Sequence, residues 1–463
     1  MSSIARPIPA PVNRAEVERR SFAVPASWSA LALSFAAAVT ALTATIGPDA
    51  RWLVALGRTV VGRGIPDGVP FAVAPSADWP NVPILAEVIF RGLSAALGDR
   101  GLLLAQLAAV ALCLEVTRRA MRRLGATDAS SALVLALLVP GALLAFAGIK
   151  AQLFSLALFP VLAALLRAEA REPSRRIWLL PPLIAIWSNL HGAALYGLVA
   201  ALVYLLLDRV RRRRVESLVV AGSSIVALCA TPALARTPHY YAAVASSEAA
   251  RRGYGLWAPL SVHRAFDVML IAVAVLLVGA FLRARPRVWE LAVAAFLAAA
   301  TIHAARSGVW LLLFVAPPAA KALRVRRTPH PALVHGLALV CFVLGALAIV
   351  RGPMTAGASD ALVRRALEVA QGRPILAEPA TAERVAAAGG HVWISNPLDA
   401  FRRSDQAAYL DWLQGKPAGD GLLGTARVVL VTSGSPASDR LSRDRRYRVV
   451  ARSADASLFV RRA

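Results

Sequence analysis

Charge is scarce in this chain of 463 residues. Asp, Glu, Lys and Arg make up 17% of it, against about 25% in an ordinary soluble domain. Cysteine is scarcer still. Cys113, Cys229 and Cys341 each lie inside an apolar run, which excludes a disulfide framework and a metal-spaced cluster. No GxxxxGK[ST], GxSxG or HExxH segment occurs. An ATP-driven pump, a hydrolase with a nucleophile elbow and a zincin therefore have no support. Carboxylates and amines are also missing from the middle of every long apolar run, which counts against a proton-coupled transporter.

Apolar residues are what the chain has. They form 57% of the sequence, with a mean hydropathy of +0.58. This composition predicts an all-α polytopic membrane protein. Eleven spans are expected, near residues 27–46, 101–117, 131–148, 152–166, 177–190, 193–208, 216–233, 266–282, 288–304, 308–321 and 332–350. Arginine sets their direction. Arg6, Arg14, Arg19 and Arg20 precede the first span. Later clusters begin at Arg118, Arg167, Arg209, Arg283 and Lys321, behind every second span. The positive-inside rule puts all six clusters in the cytoplasm. An odd number of spans then leaves the C-terminus outside. The clusters hold nearly half of the 52 basic residues, so the net charge of +25 reads as a topology signal. No nucleic-acid partner is expected.

Three parts follow from this layout. Residues 1–26 are a cytoplasmic tail. Residues 27–350 are the membrane domain, with outer loops at 47–100 and 234–265. Residues 351–463 alternate helix and strand signals and predict a small extracytoplasmic α/β domain. There, Tyr447–Ala451 and Leu458–Arg461 pair as a terminal hairpin, and His391–Ser395 is a further β-rich run.

Polar groups gather at the outer ends of the spans. Trp178 to Leu190 allows about 20 Å of helix, short of the roughly 30 Å hydrocarbon core. The turn Trp187-Ser188-Asn189-Leu190-His191-Gly192 is thus expected below the outer surface, lining a wet, protein-walled cavity. Two roles are open for Asn189: a polar group in that cavity, or a helix cap. Lys150 and Gln152 sit between spans three and four, and Arg306 between spans nine and ten. With His191 they would form a cationic site suited to a phosphate bearing a lipid tail, unless the cations simply snorkel to headgroups. In the first loop, Trp52, Leu56 and Val60 have the spacing of an amphipathic helix lying on the membrane. Asp49 stands at its start, either as a cap or as a base facing the cavity.

The first-loop Asp49, the helix behind it, Lys150-Ala151-Gln152 and the Trp-Ser-Asn-Leu-His-Gly turn resemble a group of uncharacterised bacterial membrane proteins. Those in turn resemble the membrane-embedded C-type glycosyltransferases, the GT-C superfamily. The resemblance covers residues 27–350 in layout, with Lys150 where an Arg is usual. It implies a transferase that takes a sugar from a polyprenyl-phosphate carrier at the outer face of the cytoplasmic membrane. Asp49 would be the catalytic carboxylate, as base or as ligand of a divalent metal. Lys150, Gln152, Asn189, His191 and Arg306 would hold the carrier phosphate. The implied partners are membrane lipid and a lipid-linked sugar donor. The second reading is a non-enzymatic membrane scaffold or carrier-binding protein of the cell envelope. The layout itself is testable: reporters fused after Arg214 and after Ala463 should report opposite sides of the membrane, and the same side for both would overturn the eleven-span arrangement.

Overall fold

The computed structural model describes residues 26–76 and 78–462. The tail assigned to residues 1–26 lies outside the described residues except for Ala26. Each of the eleven apolar segments is helical, from Trp28–Thr43 to Pro331–Arg351. Four helices are long and apolar enough to cross a membrane: Ile84–Arg123, Gln152–Arg171, Ala265–Arg283 and Pro331–Arg351. Trp28–Thr43, Asp128–Gly141 and Val288–His303 are apolar but shorter. Proline accounts for part of the shortening. The segment expected at 131–148 breaks after Pro140 into Asp128–Gly141 and Leu143–Ala147. The segment at 177–190 divides into a 3-10 turn, Arg175–Leu179, and the helix Leu180–Ser188, which opens on Pro181 and Pro182. Proline is tolerated in a first turn and costly further in.

Large side chains fill the helical core. Trp187, Trp289, Trp310, Phe159 and Phe314 are buried together with Tyr204. Two carboxylates near helix ends are buried and paired. Glu290 accepts from Arg167 Nε at 2.8 Å, and Asp267 pairs with Arg264. A charge withdrawn from water needs such a partner. Gln106 makes an interhelical bond, its amide donating to the carbonyl of Phe146 at 2.8 Å.

That bond fixes the approach to a short sheet. β1 (Thr45–Ile46) lies between β2 (Gly148–Ile149) and β3 (Met354–Thr355), all parallel. The three strands continue from the ends of three helices, so this sheet fixes where three chain segments leave the bundle.

After β3 the chain forms a second sheet. β4 (Ile375–Ala377), β5 (Val428–Thr432), β6 (Tyr447–Arg452) and β7 (Ala456–Arg461) stand in the order β4-β5-β7-β6. β4 and β5 are parallel; the terminal hairpin β6–β7 is antiparallel, as its alternation predicts. His391–Ser395 is not a strand. Val392 instead makes single bridges to Ile375 and to Ala72 of the first loop. Val392 N–H donates to Phe71 at 2.8 Å, and Ala74 N–H donates to Trp393 at 3.0 Å. The first loop thus extends the edge of this sheet.

The amphipathic helix of the first loop, Ala50–Arg63, packs between two parts of the protein along its first two turns. Trp52 and Leu56 join the core of the second sheet, while Leu53 and Val54 pack with Phe90 and Leu102. Both of its apolar faces are covered, because the C-terminal residues offer a complementary apolar surface. Gly57 is where this helix crosses Ile84–Arg123, and a Cβ there would overlap the carbonyl oxygen of Glu87. Gly57→Ala should push the helices apart and cost about 1–3 kcal/mol, read as a lower unfolding temperature in detergent. An unchanged transition would show that the crossing is not tight.

Candidate functional site

The two sheets and one helix pair bring distant segments to one place. Asp49 follows β1 after Gly47-Pro48, and Lys150 follows β2 directly. His191 stands on the turn after Leu180–Ser188. Arg306 lies in the 3-10 turn Ala305–Ser307, between Val288–His303 and Gly308–Leu323. Asp49, Lys150, Gln152, His191 and Arg306 line one cavity with three adjoining lobes. Lobes of about 340 and 460 Å³ share all five residues. A smaller lobe of about 140 Å³ touches Lys150, Gln152 and Arg306. The 460 Å³ lobe runs between apolar side chains such as Leu195, Val199, Phe296 and Trp310. The 340 Å³ lobe runs under the C-terminal sheet, past Asn396 and Asp399.

Asn189 is not among the lining residues. Its amide donates to the carbonyls of Ala185 at 2.8 Å and Ala230 at 2.7 Å, and its own carbonyl accepts from Leu85 N–H at 3.1 Å. It closes one helix and caps the start of another, where backbone groups lack partners. The cavity role expected for it is not what this geometry gives.

His191 has a defined tautomer. Trp187 Nε1–H donates to Ser155 Oγ at 2.6 Å, and Ser155 Oγ lies 2.7 Å from His191 Nδ1. Ala193 N–H donates to the same nitrogen at 3.3 Å. With Nδ1 accepting, the ring proton belongs on Nε2. Nε2 is the donor left for a ligand.

Asp49 does not cap its own helix; its side chain makes no cap bond, and its backbone sits at φ 90°. The cap comes from the C-terminal region. Glu383, fully buried on the helix Pro379–Ala387, accepts from Asp49 N–H at 2.7 and 2.8 Å and from Trp52 N–H at 3.4 Å. Asn396 Nδ2 donates to it at 3.0 Å. The Asp49 carboxylate is therefore released from capping. It forms no ion pair with a described residue, Arg306 included. The Arg306 guanidinium lies over the ring of Trp257 at 3.9 Å instead, a cation–π arrangement.

Burial pushes the Asp49 carboxyl above its ordinary range; Lys150 and Arg306 pull it back. Burial and the charge of Asp49 push Glu383 well above its own, against its N–H donors. Burial raises Asp399 to about 6, although Trp79 Nε1–H donates to it. Sequence reasoning missed Glu383, Asn396, Asp399 and Trp257. The C-terminal fold brings the first three here, Trp257 comes from the 3-10 turn Gly255–Trp257 of the 234–265 loop, and nothing local in the sequence signals either. A divalent metal fits this donor set poorly. Glu383 spends its oxygens on N–H donors, the charges of Lys150 and Arg306 act on Asp49, and no group of three His, Cys, Asp or Glu is placed to hold an ion among the described residues.

No protein-family model matches the chain, and no curated protein does. Solved structures are similar to it. The mycobacterial arabinofuranosyltransferase AftD aligns with a TM-score of 0.50 and 15% identity, over 94% of this chain and 41% of AftD. The fold resembles that of the GT-C glycosyltransferases. This chain spans less than half the length of AftD. ArnT from Cupriavidus metallidurans aligns at a TM-score of 0.44 in the apo state, with 14% identity over 96% of this chain and 98% of that one. ArnT bound to undecaprenyl phosphate gives 0.39 and 14%, over 93% and 97%. At these identities the likeness is one of fold.

Glu383→Ala should cost about 1–2 kcal/mol, the usual range for a lost helix cap, and speed hydrogen exchange at the Asp49 and Trp52 amides. Glu383→Gln should fall between, since one acceptor oxygen remains. Unchanged exchange in both variants would remove Glu383 from this role.

Proposed function

We propose that the protein is a membrane glycosyltransferase that takes a sugar from a polyprenyl-phosphate carrier at the outer face of the cytoplasmic membrane. One observation carries the reading. The Asp49 carboxylate, freed from capping and from ion pairing, faces the cavity that also holds Lys150, Arg306 and His191. The GT-C-like fold is in keeping with it. In this reading the chain crosses the membrane eleven times, with the N-terminus cytoplasmic and residues 351–463 forming an outer domain.

The chemistry follows from the placement. The carrier chain lies in the apolar 460 Å³ lobe and its phosphate meets Lys150 and Arg306, with Gln152 and His191 Nε2–H as neutral donors. Asp49 accepts the proton of an acceptor hydroxyl. The hydroxyl oxygen attacks the anomeric carbon, and the bond from that carbon to the phosphate oxygen breaks. The carrier phosphate leaves with the electron pair, and the two cations stabilise the charge it gains. Desolvation makes Asp49 a stronger base than an ordinary carboxylate.

The test uses the purified full-length protein with a panel of polyprenyl-phosphate sugars, and mass spectrometry to detect transfer. Asp49→Asn should lower transfer by about 10²–10⁴-fold with donor affinity changed little. Arg306→Ala should weaken donor binding about tenfold or more, as expected for a lost charge-assisted bond. Transfer should fall on acidification through a midpoint above 3.8, the ordinary Asp value, because the base form of Asp49 exists only above its raised pKa. Carrier binding without turnover, unaffected by Asp49→Asn, would favour the scaffold reading.

A further inference from the structure

The cavity is electrically polarised, and its far end has no use in the reaction as described. Its 340 Å³ lobe has only two cationic lining residues, Lys150 and Arg306, and the leaving phosphate claims both. Beyond Asp49 the lobe presents Asp399, Asn396 and the aromatic side chains of Trp79, Tyr240 and Tyr254. Trp79 Nε1–H reaches Asp399 Oδ2 at a long 3.4 Å, so the carboxylate keeps acceptor capacity for a ligand. A phosphate or carboxylate entering this lobe would sit between Asp49 and Asp399 with no cation of its own. Like charges at a half-buried site are disfavoured, which is an effective way to reject a partner. A sugar without ionised groups fits both features. Its hydroxyls donate to Asp399 and bond to the Asn396 amide, and its C–H faces cover aromatic rings.

We infer that the acceptor of this transferase is an uncharged saccharide, held by its hydroxyls between Asp399, Asn396 and the aromatic wall under the C-terminal sheet. The inference rests on the transferase reading for the word acceptor; the saccharide site itself stands on the lobe. Asp399 has a binding and specificity role here, since the reacting hydroxyl belongs to Asp49.

The experiment is saturation-transfer NMR on the purified full chain, with turnover as a separate readout. The probes are methyl glycosides of neutral hexoses and pentoses, each beside its sugar-phosphate counterpart. At neutral pH at least one neutral glycoside should receive saturation, and its phosphorylated form should not. Asp399→Asn should weaken the neutral probe about tenfold, as for loss of a charge-assisted hydrogen bond. Asp399→Lys should let the phosphorylated probe in. Below pH 6, where Asp399 takes up a proton, discrimination against the phosphate should relax. Equal or better binding of the phosphorylated probe to the unaltered protein would overturn the inference. So would the absence of binding by every neutral glycoside, or indifference to both Asp399 variants. Transfer onto a phosphorylated acceptor would also sink it and leave the transferase reading intact. Neutral-sugar binding at Asp399 without any turnover would sink the transferase reading and leave the saccharide site.

Discussion

A buried carboxylate that must be satisfied governs this molecule. Glu383 is fully shielded from water, and an ionised group there is costly unless hydrogen-bonded throughout. Its donors are the amides of Asp49 and Trp52 and the side chain of Asn396. Those groups belong to the first loop and the C-terminal region. The need to satisfy one side chain therefore locks the two regions together and sets the helix Ala50–Arg63 at its working angle. It also fixes the unusual backbone of Asp49, whose positive φ is uncommon outside glycine.

The short parallel sheet does for position what Glu383 does for orientation. β1, β2 and β3 bring residues 45, 148 and 354 side by side, and Asp49 and Lys150 follow within a few residues. The cavity between them is then divided by charge. Cations stand near the helices and carboxylates near the C-terminal sheet. Partial withdrawal from water strengthens both fields.

Much of this was legible because a membrane leaves few choices. Span lengths and arginine clusters place Asp49, Lys150, His191 and Arg306 at equivalent ends of helices, and end-groups on one side of a bundle converge. The terminal hairpin was readable for a similarly local reason, a period of two. What failed depended on distant partners. Of the two roles open for Asn189 the cap is the one it fills, its amide reaching Ala185 and, across the fold, Ala230. The packing of the first-loop helix was not readable because its second apolar covering lies more than three hundred residues away. Glu383 and Asp399 sit in unremarkable local sequence and acquire meaning only from the sheet that carries them.

The parallel pairing of β1 with β3 has a consequence for biogenesis. Parallel strands need long connections, and here nearly the whole helical bundle is the connection. Asp49 emerges early in synthesis, but its neighbours β3 and Glu383 emerge only after the last apolar helix. Until then the capping carboxylate is missing and the C-terminal wall of the cavity does not exist. The nascent chain therefore carries an incomplete site through most of its synthesis, and maturation of the cavity is tied to delivery of the final quarter of the polypeptide.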